Sequence, residues 1–484
     1  MKIVTRREAA EAIKDGSTFA VGGFCGFVTP DELLLGIRER FDETGHPKDL
    51  TMLKGVSVSD YGERGVNRIT LPGLVTKVIC SHLGQEPGTM KLVADGDADL
   101  IMLPLGTIVE LETAAASGRK DIITEVGIGT FIDPDVDPNA MADKITVNGT
   151  EYLHYEAMPI DVALIRMTTA DENGNLTCEK EAMVADQFEA AAAAHISGGI
   201  VIAQVERIVG AGELDPRDVK IHGRMVDYVV VSHPENHIQG YDTDEFRPEL
   251  TGDTRAPLSA IQPMPLSARK VCGRRAYREI EEGSIVNLGI GMPDSVGAVA
   301  GEEGTQDRMT LSTESGVLGG VPISGLGFGA AINPDAMYKM ADILRLYDGG
   351  FLDMAVLGLA EADISGNVNV SQFGGRSVGP GGFIDISQNA KKVIFIGTLT
   401  TKSGGKKFRR EVEQITFSAK TALAKHQEVL YITEKAVFRL TENGPELFEI
   451  APGLDPEKDI FPCMEFEPAV AEDLRVMEDW LFSE

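Results

Sequence analysis

Asp161-Val162-Ala163, followed seven residues on by Asp171-Glu172-Asn173-Gly174-Asn175, returns as Asp353-Met354-Ala355 and Asp363-Ile364-Ser365-Gly366-Asn367, always 192 residues later. At the same offset Val201-Ile202 meets Val393-Ile394, so the register holds over about 40 residues. Five identities at fixed spacing and a matching apolar run mark an internal duplication. The chain therefore reads as two similar halves. A feature present in only one of them is a candidate for chemistry rather than scaffold.

Working outward from the repeat, short β-branched runs punctuate both halves. They are Thr18–Val21, Val162–Met167, Ile200–Val205 and Tyr228–Val231, then Ile285–Leu288, Met309–Ser312, Met354–Leu357 and Val393–Ile396. Runs that are apolar on both faces fit buried strands, so the expected class is α/β: two homologous open halves with mostly parallel sheets flanked by helices. Arg7–Lys14 and Arg274–Glu282 have helical spacing and run into Gly16 and Gly283, which read as helix stops. Each leads to a strand and a Gly-rich turn, Gly22-Gly23 in one half and Gly289-Ile290-Gly291 in the other. Residues 233–267 carry Pro234, Pro248, Pro257, Pro263 and Pro265 with little periodicity and read as a linker. The expected division is 1–232, linker 233–267, and 268–484.

Composition narrows the function. A net charge of −30 argues against a nucleic-acid binder, though local backbone amides can still hold an anionic ligand. The five cysteines include no C-x-x-C pair, which supports neither a disulfide framework nor a zinc site. The eight histidines show no metal-binding spacing, so no metal is expected. The N-terminus reads as no signal peptide. The uncharged stretch 190–205 reads as a helix stopped by Gly198-Gly199 and a following strand, not a membrane span. A cytoplasmic protein is expected.

Three motifs of the second half attract attention. Gly289-Ile290-Gly291-Met292-Pro293 follows a strand and precedes a helix start, an arrangement that brings backbone N–H groups to a phosphate or makes a tight turn. Thr313-Glu314-Ser315-Gly316-Val317-Leu318-Gly319-Gly320 places a carboxylate at a strand end, where α/β sheets bind ligands. Thr124-Glu125-Val126-Gly127-Ile128 resembles it, so Glu125 reads as an echo of the duplication and Glu314 ranks above it. Gly379-Pro380-Gly381-Gly382-Phe383-Ile384-Asp385 is either a plain loop before a helix or a source of backbone amides for an oxyanion.

Together these segments resemble the family I CoA-transferases, in which two related α/β halves build one site. Val286-Asn287-Leu288-Gly289-Ile290-Gly291-Met292-Pro293, Thr313–Gly319 and Gly381–Asp385 are similar to three motifs of that family, as is Val21-Gly22-Gly23-Phe24 with Pro30 in the first half. Gly319–Pro322 and Gln388–Val393 resemble the fused short-chain branch that includes propionate CoA-transferase. The resemblance implies transfer of CoA from a short-chain acyl-CoA to a free carboxylate, with acetate, propionate, butyrate or lactate as the acids. It makes Glu314 the catalytic nucleophile and Gly382, with the Leu105 N–H, the oxyanion donors. CoA binding falls to Gly289, Ile290, Gly291, Met292, Pro293 and Gly381. It implies coenzyme A as substrate with no tightly bound cofactor. Acyl-CoA and small carboxylic acids are the expected partners, with no nucleic acid, no membrane, and a homo-oligomer, dimer or tetramer. Two departures stand out: Leu105 where the family often has Gln, and Ser315 where Asn or Ala is usual. A ketoacid CoA-transferase, an acyl-CoA thioesterase and a non-enzymatic sensor binding a CoA ester or acid are the alternatives.

Overall fold

A computed structural model describes residues 1–257 and 264–484, so part of the expected linker, including Pro263, lies outside the described residues. Eight strands form the first sheet: β1 (Lys2–Ile3), β2 (Thr18–Val21), β3 (Leu50–Leu53), β4 (Val75–Cys80), β5 (Asp99–Met102), β6 (Val162–Arg166), β7 (Ile200–Val205) and β8 (Tyr228–Val231). Their order is β1-β8-β7-β6-β2-β3-β4-β5, and every pairing is parallel. Ten strands form the second: β9 (Ser284–Leu288), β10 (Met309–Ser312), β11 (Val317–Leu318), β12 (Ala336–Met337), β13 (Met354–Gly358), β14 (Lys392–Ile396), β15 (Glu428–Ile432), β16 (Ala436–Thr441), β17 (Gly444–Ile450) and β18 (Ala469–Val476). Their order is β12-β11-β10-β9-β13-β14-β15-β16-β17-β18. The stretch from β10 to β15 is parallel, and antiparallel pairs extend it on both sides. The α/β class with mostly parallel sheets is the observed one. All five residues of β6 are buried, as a strand covered on both faces requires.

The duplication is visible in the register. Val162 of β6 faces Ile200 of β7, and Met354 of β13 faces Lys392 of β14, both displaced by 192. The order β7-β6-β2-β3 recurs as β14-β13-β9-β10. The repeated polar residues make the same bonds in both halves. Asp161 accepts the Thr18 N–H at 2.8 Å and Asp353 the Ile285 N–H at 2.9 Å, fixing where β2 and β9 begin. Asp171 accepts the Asn173 and Asn175 amides, and Asp363 those of Ser365 and Asn367, all at 2.9 Å. Asn175 and Asn367 in turn accept Gly223 and Ala419 N–H groups at 3.0 Å. The repeat that reveals the fold is thus a pair of side-chain-stapled turns.

Four helices position the site: α1 (Leu105–Ala116), α2 (Gln187–Ile196), α3 (Met340–Asp348) and α4 (Phe383–Asn389). Helix α1 packs on α2 within the first half and on α3 across the junction, and α3 packs on α4. As expected, the Ala-rich α2 ends before Gly198 and β7 follows; among the described residues no helix is long and apolar enough to cross a membrane. One apolar cluster draws Phe24, Leu105 and Val109 from the first half together with Phe328, Met340 and Phe383 from the second.

Two helix boundaries differ from expectation. The first helix spans Arg6–Glu11, started by a Thr5–Glu8 capping box. The second spans Ala268–Tyr277, because the Ser267 hydroxyl caps it by accepting the Lys270 N–H at 3.3 Å; Gly283 lies in a later turn and is not its stop. Between the halves the described residues cross the junction: Tyr241 donates to the Gly26 carbonyl at 3.2 Å, and Asn333 to that of Glu249 at 2.9 Å.

Candidate active site

Strand β10 ends at Ser312 and the chain doubles back at once, so that Ser312 pairs with Leu318 of β11. Glu314 sits in that turn. The reversal needs Gly316, whose φ is 105°, because a Cβ there would collide with the Tyr338 carbonyl oxygen. The Thr313 amide closes the turn on the Val317 carbonyl at 2.9 Å. Ser315 ties the turn down: its hydroxyl donates to the Gly329 carbonyl at 2.6 Å and lies 2.7 Å from the Thr313 hydroxyl. The departure from Asn or Ala at this position is therefore used by the scaffold.

Glu314 is 7% exposed. Its Oε2 accepts the Asn287 amide at 3.4 Å, and the same amide reaches the Ser312 carbonyl at 3.1 Å. Burial pushes the Glu314 carboxyl above the ordinary carboxylate range; its own backbone N–H and Asn287 pull it back. No Lys or Arg forms an ion pair with it among the described residues.

The Gly379–Asp385 loop comes from the other side. Gly382 is the N-cap of α4, and a Cβ added to it would lie 3.2 Å from Glu314 Cγ and 3.4 Å from Cδ. The structure thus brings Gly382 and Glu314 together. Gly381 donates to the Ser81 carbonyl at 2.9 Å, and its own carbonyl accepts the Leu105 N–H at 3.1 Å. Leu105 opens α1 and is fully buried. Its N–H is occupied by Gly381, which corrects the expectation of a donor available to an oxyanion: that role would require this bond to open. In a trans peptide the N–H points opposite to the preceding carbonyl. Anchoring the Gly381 carbonyl on Leu105 therefore turns the Gly382 N–H away from α1, and it has no partner among the described residues.

The Gly289–Pro293 loop forms the expected strand–turn–helix connection from β9 to a helix at Asp294–Glu303. The Gly289 N–H is taken by the Val356 carbonyl at 2.9 Å. The Gly291 N–H faces the Asp294 carboxyl, those of Ile290 and Met292 have no partner among the described residues, and Ile290 is 51% exposed although apolar. Pro293 has no N–H to give.

Glu125 is corrected. It follows a strand, Asp121–Thr124, that belongs to a separate three-stranded antiparallel sheet, and its carbonyl accepts the Gln388 amide at 2.5 Å. The register identifies the true counterpart of Glu314. Phe19 faces Val162 and Val286 faces Met354; Thr18 faces Thr51 and Ile285 faces Thr310. Lys54 and Gly55 therefore stand where Thr313 and Glu314 stand. Three residues in or bordering the site were not singled out by the motifs. Asn287 lay inside a quoted string. Lys339 follows the Tyr338 carbonyl that packs on Gly316, with its ammonium 3.6 Å from the Phe188 ring centre and 3.6 Å from Glu189. The third, Cys25, is buried beside Glu314; burial, and after it the Glu314 charge, push its thiol up. Among the described residues no His, Cys, Asp or Glu group is arranged to hold a metal ion.

The family model described as Coenzyme A transferase matches residues 4–232. The chain is 43% identical to the caffeate CoA-transferase of Acetobacterium woodii over 100% of its own length and 98% of that protein. It is 37% identical to the acetate CoA-transferase YdiF of Escherichia coli K12, covering 99% and 95% of the two chains. The crystal structure of the acyl-CoA transferase YdiF of E. coli O157:H7, a thioester complex with CoA, superposes with a TM-score of 0.93 at 36% identity, over 100% of this chain and 96% of that one.

Proposed function

The chain belongs to the coenzyme A transferase family and moves CoA between an acyl-CoA and a carboxylate, and within that activity we propose that Glu314 is the covalent nucleophile and the Gly382 N–H the oxyanion donor. A Glu314 oxygen attacks the thioester carbonyl, the C–S bond breaks, and CoA leaves as thiolate. The resulting mixed anhydride is attacked at the Glu314 carbonyl by that thiolate. The anhydride C–O bond breaks, the first acid leaves as carboxylate, and Glu314 carries CoA as a thioester. The acceptor acid runs the two steps in reverse, giving ping-pong kinetics. The nucleophile is an anion and needs no general base. Each tetrahedral oxyanion gains from a fixed N–H, worth roughly 3 kcal/mol in comparable sites. Gly289–Pro293 and Gly381 are proposed to bind CoA, with the unpartnered amides of Ile290 and Met292 facing its anionic or carbonyl oxygens.

The observation that carries this reading is a buried Glu314 against a glycine whose N–H is unspent. Mass spectrometry after mixing with acetyl-CoA tests it. A CoA adduct is expected on the peptide containing Glu314, removable by borohydride. An adduct on Glu125, or full activity in Glu314→Ala, overturns the assignment. Steady hydrolysis without any acceptor acid would instead make the enzyme a thioesterase.

Short monocarboxylates are the proposed acids. Small residues dominate Ser315–Gly329, the buried Leu105 adds an apolar wall, and one relative is named for acetate. An aromatic acceptor is the second reading, favoured by the relative named for caffeate. Competition for acetyl-CoA among propionate, butyrate, acetoacetate, succinate and caffeate separates them. A tenfold or greater kcat/KM preference, about 1.4 kcal/mol, for caffeate, acetoacetate or succinate would displace the short-chain assignment. The division at 1–232, 233–267 and 268–484, a cytoplasmic location and a homo-oligomer complete the proposal; light scattering tests the last.

A further inference from the structure

Gly382 serves the proposed reaction only if its peptide is held, and the hold comes from the other half of the chain. The start of α1 offers two amides to the loop that carries Gly382. The Leu105 N–H takes the Gly381 carbonyl at 3.1 Å. The Gly106 N–H lies beside the Asp385 carboxyl, whose Oδ1 presses so closely on Gly106 that a Cβ there would overlap it. Asp385 is the third residue of α4 and 1% exposed, so one carboxyl stands at the positive ends of two helices, one from each half. Its Oδ2 has no hydrogen-bond partner among the described residues. Burial and the nearby Asp348 push its titration well above the ordinary range, while the Gly106 and Asp385 amides oppose this. Asp385 also lines a cavity of about 470 Å³ with Gly106, Thr107, Glu110, Arg345 and Asp348, whose walls include neither Glu314 nor Gly382. The group is thus outside the reacting cleft but one helical turn from it.

We propose that Asp385 is a positioning residue: by holding the Gly106 amide it locks the start of α1 against the start of α4 and so fixes the direction of the Gly382 N–H. The inference rests on the oxyanion role proposed for Gly382. An oxygen acceptor is what the contact needs, so Asp385→Asn should keep the rate of CoA adduct formation within about threefold in single turnover. Asp385→Ala should slow that step by roughly 100-fold, the scale of a small misplacement of reacting groups, while the acyl-CoA Kd stays within about threefold. Gly106→Ala, which keeps the carboxyl but displaces it, should also slow the step and serves if Asp385→Ala fails to fold. A normal rate in both Asp385→Ala and Gly106→Ala overturns the inference, as does a loss of CoA affinity that accounts for the fall. If the wild-type protein itself forms no adduct on Glu314, the functional reading fails instead, whatever the variants do.

Discussion

The first half holds Gly55 and Asp186 where the second holds Glu314 and Gly382. Gly55 follows β3 as Glu314 follows β10, and Asp186 is the N-cap of α2 as Gly382 is the N-cap of α4. The carboxylate and the glycine have changed places. In both halves the pair stays in contact range: a Cβ on Gly55 would lie 3.6 Å from Asp186 Oδ2, and one on Gly382 would lie 3.2 Å from Glu314 Cγ. The surroundings differ. The space at Gly55 is taken by Leu105 Cδ1 at 3.0 Å and by Met340 Sδ at 3.9 Å, the latter from the other half. Asp186 spends one oxygen on the Gly23 N–H at 3.0 Å, and its other oxygen, with one each from Glu112 and Glu189, has no hydrogen-bond partner among the described residues. The duplicated scaffold thus brings an acid to a helix start twice. Chemistry is proposed only where the helix start is the glycine and its amide is left unspent.

The sharpest way to break the comparison is Glu314→Gln, nearly isosteric and unable to form the thioester. It should lose at least about 10³-fold in turnover, with no CoA adduct by mass and no fall in melting temperature. Retained turnover would mean that the difference between the halves is not the nucleophile. Gly382→Val comes next. Its side chain has no room beside Glu314, so kcat should fall by about 10²-fold while CoA binding, measured by calorimetry, changes little. A fall in affinity with kcat intact would turn the loop into a binding element. Asn287→Ala removes the side-chain N–H that favours ionised Glu314. The carboxyl should then titrate at higher pH, and the acidic limb of kcat/KM should move upward, with activity at pH 8 affected less than at pH 6. A limb that stays put, or moves down, removes Asn287 from the electrostatics of the site.

The smallest effect is expected in the first half. Burial raises Asp186 to about 7 from 3.8. Folding therefore holds a proton that the unfolded chain releases, and this group's contribution declines as pH rises toward 7. Asp186→Asn keeps the acceptor for Gly23 and removes the titration. It should be more stable than the parent at pH 8, by about 2–4 °C in melting temperature, with a smaller gain at pH 5. A gain that is larger at pH 5 would show that Asp186 is not the buried acid the geometry makes it.

Much of this was legible in the sequence. The runs Val162–Met167 and Met354–Leu357 are apolar on both faces because their strands lie in the middle of covered sheets, and a periodicity of that kind is local. The same holds for the Thr-Glu-Ser-Gly turn. What misled was also local: Gly127 and Gly316 both have positive φ, 96° and 105°, so Thr124–Gly127 imitates the turn of Thr313–Gly316 without its place in a sheet. Leu50–Leu53 and Asp99–Met102 contain Leu and Met, which suit helices as well, and become strands through pairing with distant partners. The edge from Glu428 to Val476, two antiparallel pairs and a final parallel one, was not read because its register is set by the strands beside it. Asp385 meets Gly106 across 279 residues, and no spacing rule reaches that far.

The apolar cluster shared by Phe24, Leu105, Phe328, Met340 and Phe383 has a consequence for how the molecule comes into being. Each half has a core of its own, but this cluster closes only when residues of both have been made. The joining segment then acts as a supply rule. It delivers the halves in a fixed ratio of one to one and turns their encounter into an intramolecular event at millimolar effective concentration. Once they have met, the cluster and not the covalent link holds them, and a chain nicked after folding at an exposed residue of the joining segment should stay assembled and keep its activity.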